Sequence, residues 1–319
     1  MLHTTTSASS LPSGLTTRLR HRITTLSLLA TAVFLLTHAD NDAISAEDRD
    51  APNIVLILAD DLGYGDVKSF GGERCRIDTP HFDRLAREGM RFTDAHSIAS
   101  VCVPSRVGIM TGRYAWRYGK PAAGGAWGFL GTQFSTRRHT LGKMMKASGY
   151  RTGYVGKWHL GTLMQTQDGK TQNIDNVDYR KPLKIGPPQF GFDDSFILPG
   201  SLDMYPYAFV RNNRWVGDVT AKKGWSAFNR VGPAAEDFED HQVLDTFCTE
   251  AERFIAESVK KSTDRQPFFL YLALTSPHTP LSPSAGFEGK SPIGLYGDFV
   301  METDHCVGRV LAALDKHGI

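Results

Sequence analysis

The chain is poor in cysteine, in long apolar runs and in net charge. Cys75, Cys102, Cys248 and Cys306 are the only cysteines in 319 residues. They are too few for a fold built on disulfides, but could form one or two bridges in an oxidising compartment. Four cysteines allow three complete pairings, and nothing in their spacing selects one. The longest apolar run, Leu26 to Leu36, is well short of the ~20 residues of a membrane-spanning helix. With 36 Lys and Arg against 34 Asp and Glu, the net charge is +2. The cations are spread along the chain without a basic tail, so a nucleic-acid partner has little electrostatic support.

What is present is core material, with 41% hydrophobic and 10% aromatic residues. At the N-terminus Arg18, Arg20 and Arg22 precede the apolar run, and the small-residue stretch ending at Ala39 follows it. That order is the signature of a secretory signal peptide. The reading is a signal over 1–39, a linker over 40–50 and a folded region over 51–319. The protein is expected to be exported to a periplasm, an extracellular space or a secretory lumen, with no stable membrane association.

The folded region alternates strands with helices. "NIVLILADD" contains a continuous apolar run that reads as a strand buried on both faces, with Asp60 and Asp61 at its carboxyl end. Thr79 as N-cap, Pro80 at the first helical position and Gly89 as a stop define a helix. A second helix spans about Thr140 to Ser148, and "YRTGYVGKWHLG" reads as a strand ending at Lys157 and His159. A long helix runs from about His241 to Val259. "PFFLYLAL" is another buried strand, followed by His278, and a last helix is expected over Asp298–His317. Between about Gly161 and Glu239 the pattern dissolves into Gly, Pro, Asn and aromatics, and no regular element is assigned. The fold class is α/β, with a mostly parallel sheet sandwiched between helices. Asp60, Asp61, Lys157, His159 and His278 all fall just past a strand, which places them along one rim of the sheet, where ligand sites gather. Lys157 and His159, two residues apart, are expected on one face of an extended segment.

The stretch "CVPSRVGIMTG" follows a different design. Pro104 suits the first turn of a helix that Ser105 and Arg106 begin, so Cys102 would feel a positive helix end and a guanidinium. Both stabilise an anion, and the cysteine is expected to be reactive. A disulfide is the bland alternative for Cys102. Likewise, an aspartate pair after a strand often merely caps a turn, and a lone histidine is more often structural than catalytic.

"CVPSRVGIMTG" resembles the type I sulfatase signature, Cys-x-Pro-Ser-Arg followed by Thr-Gly. "ADDLGYGD" upstream, and "GKWHLG" and "SPHTPL" downstream, match the same family in the same order. The sequence is thus identified as a member of the formylglycine-dependent sulfatases, most similar to the arylsulfatase A type, within the alkaline-phosphatase-like superfamily. The resemblance implies a sulfuric ester hydrolase acting on a sulfated small molecule or glycan. It implies that a formylglycine-generating or sulfatase-maturating enzyme oxidises Cys102 to formylglycine. One hydroxyl of the hydrated aldehyde attacks sulfur, and the other expels sulfate as the aldehyde reforms. Asp60 and Asp61, with the oxygen derived from Cys102, would bind Ca2+. Arg106 would orient the hydrate, and Lys157 would bridge hydrate and sulfate. His159 would take the proton during elimination, and His278 would contact sulfate and protonate the leaving alcohol. Asp203 and Tyr205, in the irregular segment, could touch substrate or serve packing, and are not counted among the site residues. Two alternatives stand beside this reading: a phosphate or phosphonate monoester hydrolase of the same superfamily, and an inactive protein that binds sulfated glycans. The family's second metal-binding stretch, an Asp-Asn pair, and a further sulfate-binding lysine are not found, so the chain reads as the N-terminal part of a longer product.

Overall fold

Short runs of β-branched, aromatic and leucine residues supply the longer strands, β1 (Ile54–Asp60), β2 (Arg151–Lys157), β3 (Asp194–Leu198) and β8 (Phe268–Pro277), and the two- and three-residue strands are β4 (Val210–Arg211), β5 (Arg214–Trp215), β6 (Ala221–Lys223) and β7 (Gly232–Ala234). The helices are α1 (Lys68–Gly71), α2 (Pro80–Glu88), α3 (Cys102–Thr111), α4 (Leu141–Ala147), α5 (Val243–Lys261) and α6 (Leu295–His317). This computed structural model describes residues 51–118, 129–224, 229–261 and 266–319. The segment read as an export signal lies outside them, and residues 51–319 form one unit.

The main sheet has the order β1-β8-β2-β3-β4-β5. Its first four strands are parallel. β4 and β5 close it as an antiparallel hairpin, turned by Asn212 and Asn213 with φ of 46° and 68°. Two positive φ values in a two-residue loop match the twist of the flanking strands, and asparagine tolerates them. β6 and β7 pair separately.

Side chains alternate across the sheet, and each face is covered. Leu270, Leu272 and Leu274 of β8 pack with Phe247, Ala251 and Phe254 of α5 and Phe299 and Val310 of α6. Phe269, Tyr271 and Ala273 of the same strand meet Val103, Val107 and Met110 of α3 and Met145 of α4. This is the layered α/β architecture expected from the alternation of elements. Strand β3 and the hairpin were not expected. "DSFIL" is only five residues long and sits among Gly, Pro and Asn, so a propensity window misses it, although four of its five residues are buried.

Two helix starts also differ in their chemistry from the sequence expectation. Thr79 occupies the N-cap of α2 but its hydroxyl accepts from the Lys68 amide instead, at 2.9 Å. Asp304 of α6 caps α2, accepting from the amides of His81 (3.0 Å) and Phe82 (2.8 Å). Helix α6 itself starts at Leu295, three residues before the expected Asp298, whose carboxylate accepts from the amides of Gly289 and Ser291.

Cys248 on α5 and Cys306 on α6 form a disulfide, with Cα atoms 5.8 Å apart, while Cys75 and Cys102 are free. The bland fate of Cys102 is thereby removed. Gly156 in β2 has φ of 120°, and a Cβ there would lie 1.9 Å from the Ala273 carbonyl oxygen of β8. Gly156→Ala is therefore expected to cost about 2 kcal/mol or more, read as a lower urea midpoint with an unchanged m-value.

Candidate active site

The parallel strands deliver their carboxyl ends to one rim. Asp60 is the last residue of β1, Lys157 the last of β2, and His278 follows β8. The β1–β8 ladder loses register between Leu58 and Asp60, where Asp60 comes opposite Pro277. Helix α3 approaches the rim with its N-terminus, and Cys102 is its first residue. Arg106 lies four residues on, hence on the same side of the helix.

Asp60 links these elements. Its Oδ2 accepts from Lys157 Nζ at 2.5 Å, and its Oδ1 lies 3.4 Å from Arg106 Nη2. All three are almost fully buried. Burial alone would raise the Asp60 pKa, but Lys157 and Arg106 together outweigh it and hold the carboxyl at about 2. The Lys157 carbonyl oxygen accepts twice, from Arg106 Nη1 and from the Tyr154 hydroxyl, each at 2.8 Å. Tyr154 therefore shapes the arginine's surroundings, and Tyr271 lies within its electrostatic reach, a role the sequence reading missed. Its one trace in the sequence is a phenol in the middle of each buried strand.

Arg106 Nε and Nη2 have no hydrogen-bond partner among the described residues, and neither does either ring nitrogen of His159. Buried donors left open next to a cleft suit an incoming anion. The cleft has a volume of about 380 Å³ and is bordered by Asp60, Asp61, Ser97, Val101, Cys102 and Arg106. A larger cavity of about 580 Å³ lies between the far ends of α3 and α4, without such charges converging on it.

Two expectations need correction. Lys157 and His159 do not share a face of one extended segment: β2 ends at Lys157, and His159 has φ of 52°. The cause is Trp158, which is fully buried, stands edge-on to Tyr154 and donates its indole N–H to the Gly161 carbonyl. His159 nevertheless lies within the field of Lys157, Arg106, Asp60 and His278. The second correction concerns Cys102. Burial pushes its thiol pKa up and Asp60 adds to this, so Lys157 and Arg106 do not make it a thiolate. It is a half-buried thiol at neutral pH.

Asp61 stands apart from its neighbour. It is exposed, with φ of 60°, and its Oδ2 lies 3.5 Å from His278 Nε2. His278 Nδ1 contacts the Thr279 carbonyl oxygen. Asp203 is buried and paired with Arg230 at 3.2 Å. Asp60 and Asp61 offer hard carboxylate oxygens suited to calcium, but among the described residues no three His, Cys, Asp or Glu side chains converge on a metal site. Roughly six to eight oxygens surround calcium, so the pair fits part of such a sphere.

Burial, reinforced by Lys157 and Arg106, drives the His159 pKa well below its usual value. The ring is thus neutral in the folded chain, while the unfolded chain takes up its proton below about 6.5. Stability contributed by the neutral ring is then lost as pH falls from about 6.5 toward the folded value, because the unfolded state binds more protons. His159→Gln is expected to flatten the slope of urea midpoint against pH in that window. An unchanged slope would mean that the His159 ring titrates in the fold as it does in the unfolded chain.

A model of the sulfatase family matches residues 52–319. The chain belongs to the sulfatase family. It is 30% identical over 309 residues to an N-acetylgalactosamine-6-O-sulfatase of Bacteroides thetaiotaomicron, covering 85% of this chain and 57% of that protein. It is 32% identical to a steryl-sulfatase of Rattus norvegicus, covering 89% and 56%. A solved structure described in the context of glycosaminoglycan metabolism by Bacteroides thetaiotaomicron superposes with a TM-score of 0.72 at 30% identity, covering 84% of this chain and 60% of that one. The structure of Ps i-CgsB in complex with k-i-k-neocarrahexaose superposes with a TM-score of 0.60 at 28% identity, over 84% and 55%. The chain thus spans a little over half the length of the relatives it matches.

Proposed function

We propose that the protein is an exported sulfuric ester hydrolase that cleaves an aryl sulfate or a sulfated carbohydrate to an alcohol and inorganic sulfate. The observation that carries this reading is the free Cys102 at the start of α3, with Asp60, Arg106 and Lys157 gathered at the same rim. A relative named for a sulfated sugar and a neighbour solved with neocarrahexaose support a carbohydrate ester, while a relative named steryl-sulfatase supports a sulfate on another alcohol. Among the described residues no helix is long and apolar enough to cross a membrane.

Formylglycine made from Cys102 by a maturating enzyme would supply a hydrated aldehyde as nucleophile, and calcium held by Asp60 and Asp61 would supply positive charge beside it. A half-buried thiol on the wall of the cleft fits a residue that a second enzyme modifies and that is not itself the nucleophile. Arg106 borders the cleft and Lys157 lies buried behind Asp60, and these two fixed cations would hold a sulfate oxygen more strongly for the low dielectric around them. His159 would accept a proton from the modified residue, a role supported by its neutral ring and by two ring nitrogens without hydrogen-bond partners among the described residues. His278, half-buried at the rim beside Asp61, would hand a proton to the departing alcohol.

The test is the mass of the tryptic peptide Phe92–Arg106 from protein made in its own host. The expected peptide is lighter by the difference between thiol and aldehyde. A peptide carrying unmodified cysteine, from a preparation that releases sulfate, would overturn the assigned nucleophile. Sulfate against phosphate release from matched aryl esters then separates sulfatase from phosphatase chemistry.

A further inference from the structure

Between Asp94 and Asp168 the sequence contains no Asp or Glu, while Arg106, Arg113, Arg117, Arg137 and Arg138 fall within that stretch. The near-zero net charge of the chain hides this local excess. The fold gathers part of it at the far end of α3. Arg113 follows Gly112, the left-handed residue that ends the helix. With Arg137, Arg138 and His139, which precede α4, it borders a cavity of about 480 Å³ that no acidic side chain lines. Arg113 and Arg137 are exposed and form no ion pair among the described residues.

Next to Arg113 the chain displays aromatic surface. Tyr114 and Trp116 are 46% and 65% exposed. Their rings stack with centroids 5.6 Å apart and planes 19° from parallel, and the Arg117 guanidinium lies 4.9 Å from the Trp116 ring centre. Two large aromatics left in solvent in this way mark a binding surface more often than a packing accident. A further cavity of about 560 Å³ joins this region to the reaction cleft. It shares Leu58, Ser97 and Ser105 with the cleft at Cys102, and Arg113 with the basic cavity. The result is a furrow along one flank of α3, and helix rise puts Arg113 about 16 Å from Cys102.

We propose that this furrow binds a sulfated oligosaccharide, so that the chain is held well beyond the sugar whose ester is cleaved. Arg113 and Arg137 pair with sulfate groups through their planar donor forks. The Tyr114–Trp116 stack offers its flat face to the apolar side of a sugar ring. Polyanion and furrow are complementary in charge, and the length of the furrow selects oligomers over monosaccharides. The proposal takes its ligand class from the sulfatase reading, but its test does not depend on turnover.

The experiment is calorimetric titration of the purified protein with a sulfated hexasaccharide, its unsulfated counterpart, a sulfated monosaccharide and a single-stranded oligonucleotide of matched charge. Wild type is expected to prefer the sulfated hexasaccharide. Arg113→Ala/Arg137→Ala and Trp116→Ala are expected to weaken that binding about tenfold each, with shallower salt dependence in the arginine variant and unchanged monosaccharide binding. The proposal falls if wild type does not prefer the hexasaccharide, if the variants bind it as wild type does, or if the oligonucleotide binds equally well. Sulfate release is measured in parallel. Its absence, alongside length-dependent binding that the variants lose, would leave the furrow standing and remove the hydrolytic reading. Its presence alongside normal variant binding would do the reverse.

Discussion

Asp60→Asn is expected to cost about 3–5 kcal/mol of folding stability. The substitution keeps the shape of the side chain and removes its charge. Lys157 and Arg106, both almost fully buried, are then left as two neighbouring cations without a counter-charge. The cost arises chiefly from those uncompensated cations, and the lost attraction itself contributes less. Asp60→Asn/Lys157→Met should therefore recover part of the loss, because it removes one of the stranded charges. Urea unfolding of the three proteins checks both statements. An Asp60→Asn protein as stable as wild type would mean that the triad is solvated and not buried. The acid limb follows the same logic. With a folded pKa of about 2, Asp60 contributes stability that is fully present above its unfolded value near 3.9 and is lost as pH falls from there toward 2.

Cys102→Ala is expected to abolish sulfate release, by at least about a thousandfold, while changing stability by about 1 kcal/mol or less. The contrast with Asp60 comes from position. Cys102 is half-buried at a helix start and pairs with no other cysteine, so its removal leaves neither a large cavity nor a stranded charge. Cys102→Ser preserves the size of the side chain. Its expected outcome is the same loss, because the serine hydroxyl offers one oxygen where the proposed nucleophile needs two on one carbon. A variant that unfolds like wild type and still releases sulfate would show that the chemistry lies elsewhere. Comparing melting curve and sulfate release for each protein separates the two effects.

Strands β1, β2 and β8 and helices α2, α4 and α5 were legible in the sequence because period, caps and stop glycines all agreed there. The gathering of Asp60, Lys157 and His278 on one rim followed from parallel strands alone. Features that depend on what packs around a residue were not legible. The left-handed His159 is set by the burial of Trp158, one residue before it. The raised Cys102 thiol depends on how deeply α3 sits in the sheet's cover, which no local window reports. Asp304 capping α2 joins residues more than two hundred positions apart. Strand β3 escaped because five residues are too few for a period to emerge. Thr79 is a case where the position was right and the bond was wrong, since its hydroxyl found the Lys68 amide instead.

The order of the sheet has a consequence for how the protein opens. β8 is buried along all ten of its residues and held between β1 and β2, whereas among the described residues β1 has a strand on one side only. Amide protons of β8 should exchange with deuterated solvent only when the whole chain unfolds, and those of β1 by smaller, more frequent excursions. Asp60 rides on that looser strand, while Lys157 and the carbonyl that Arg106 grips belong to the interior one. Each fraying of β1 therefore dissolves the charge triad while the rest of the sheet persists, so the triad should be the first part of the rim to come undone as urea rises.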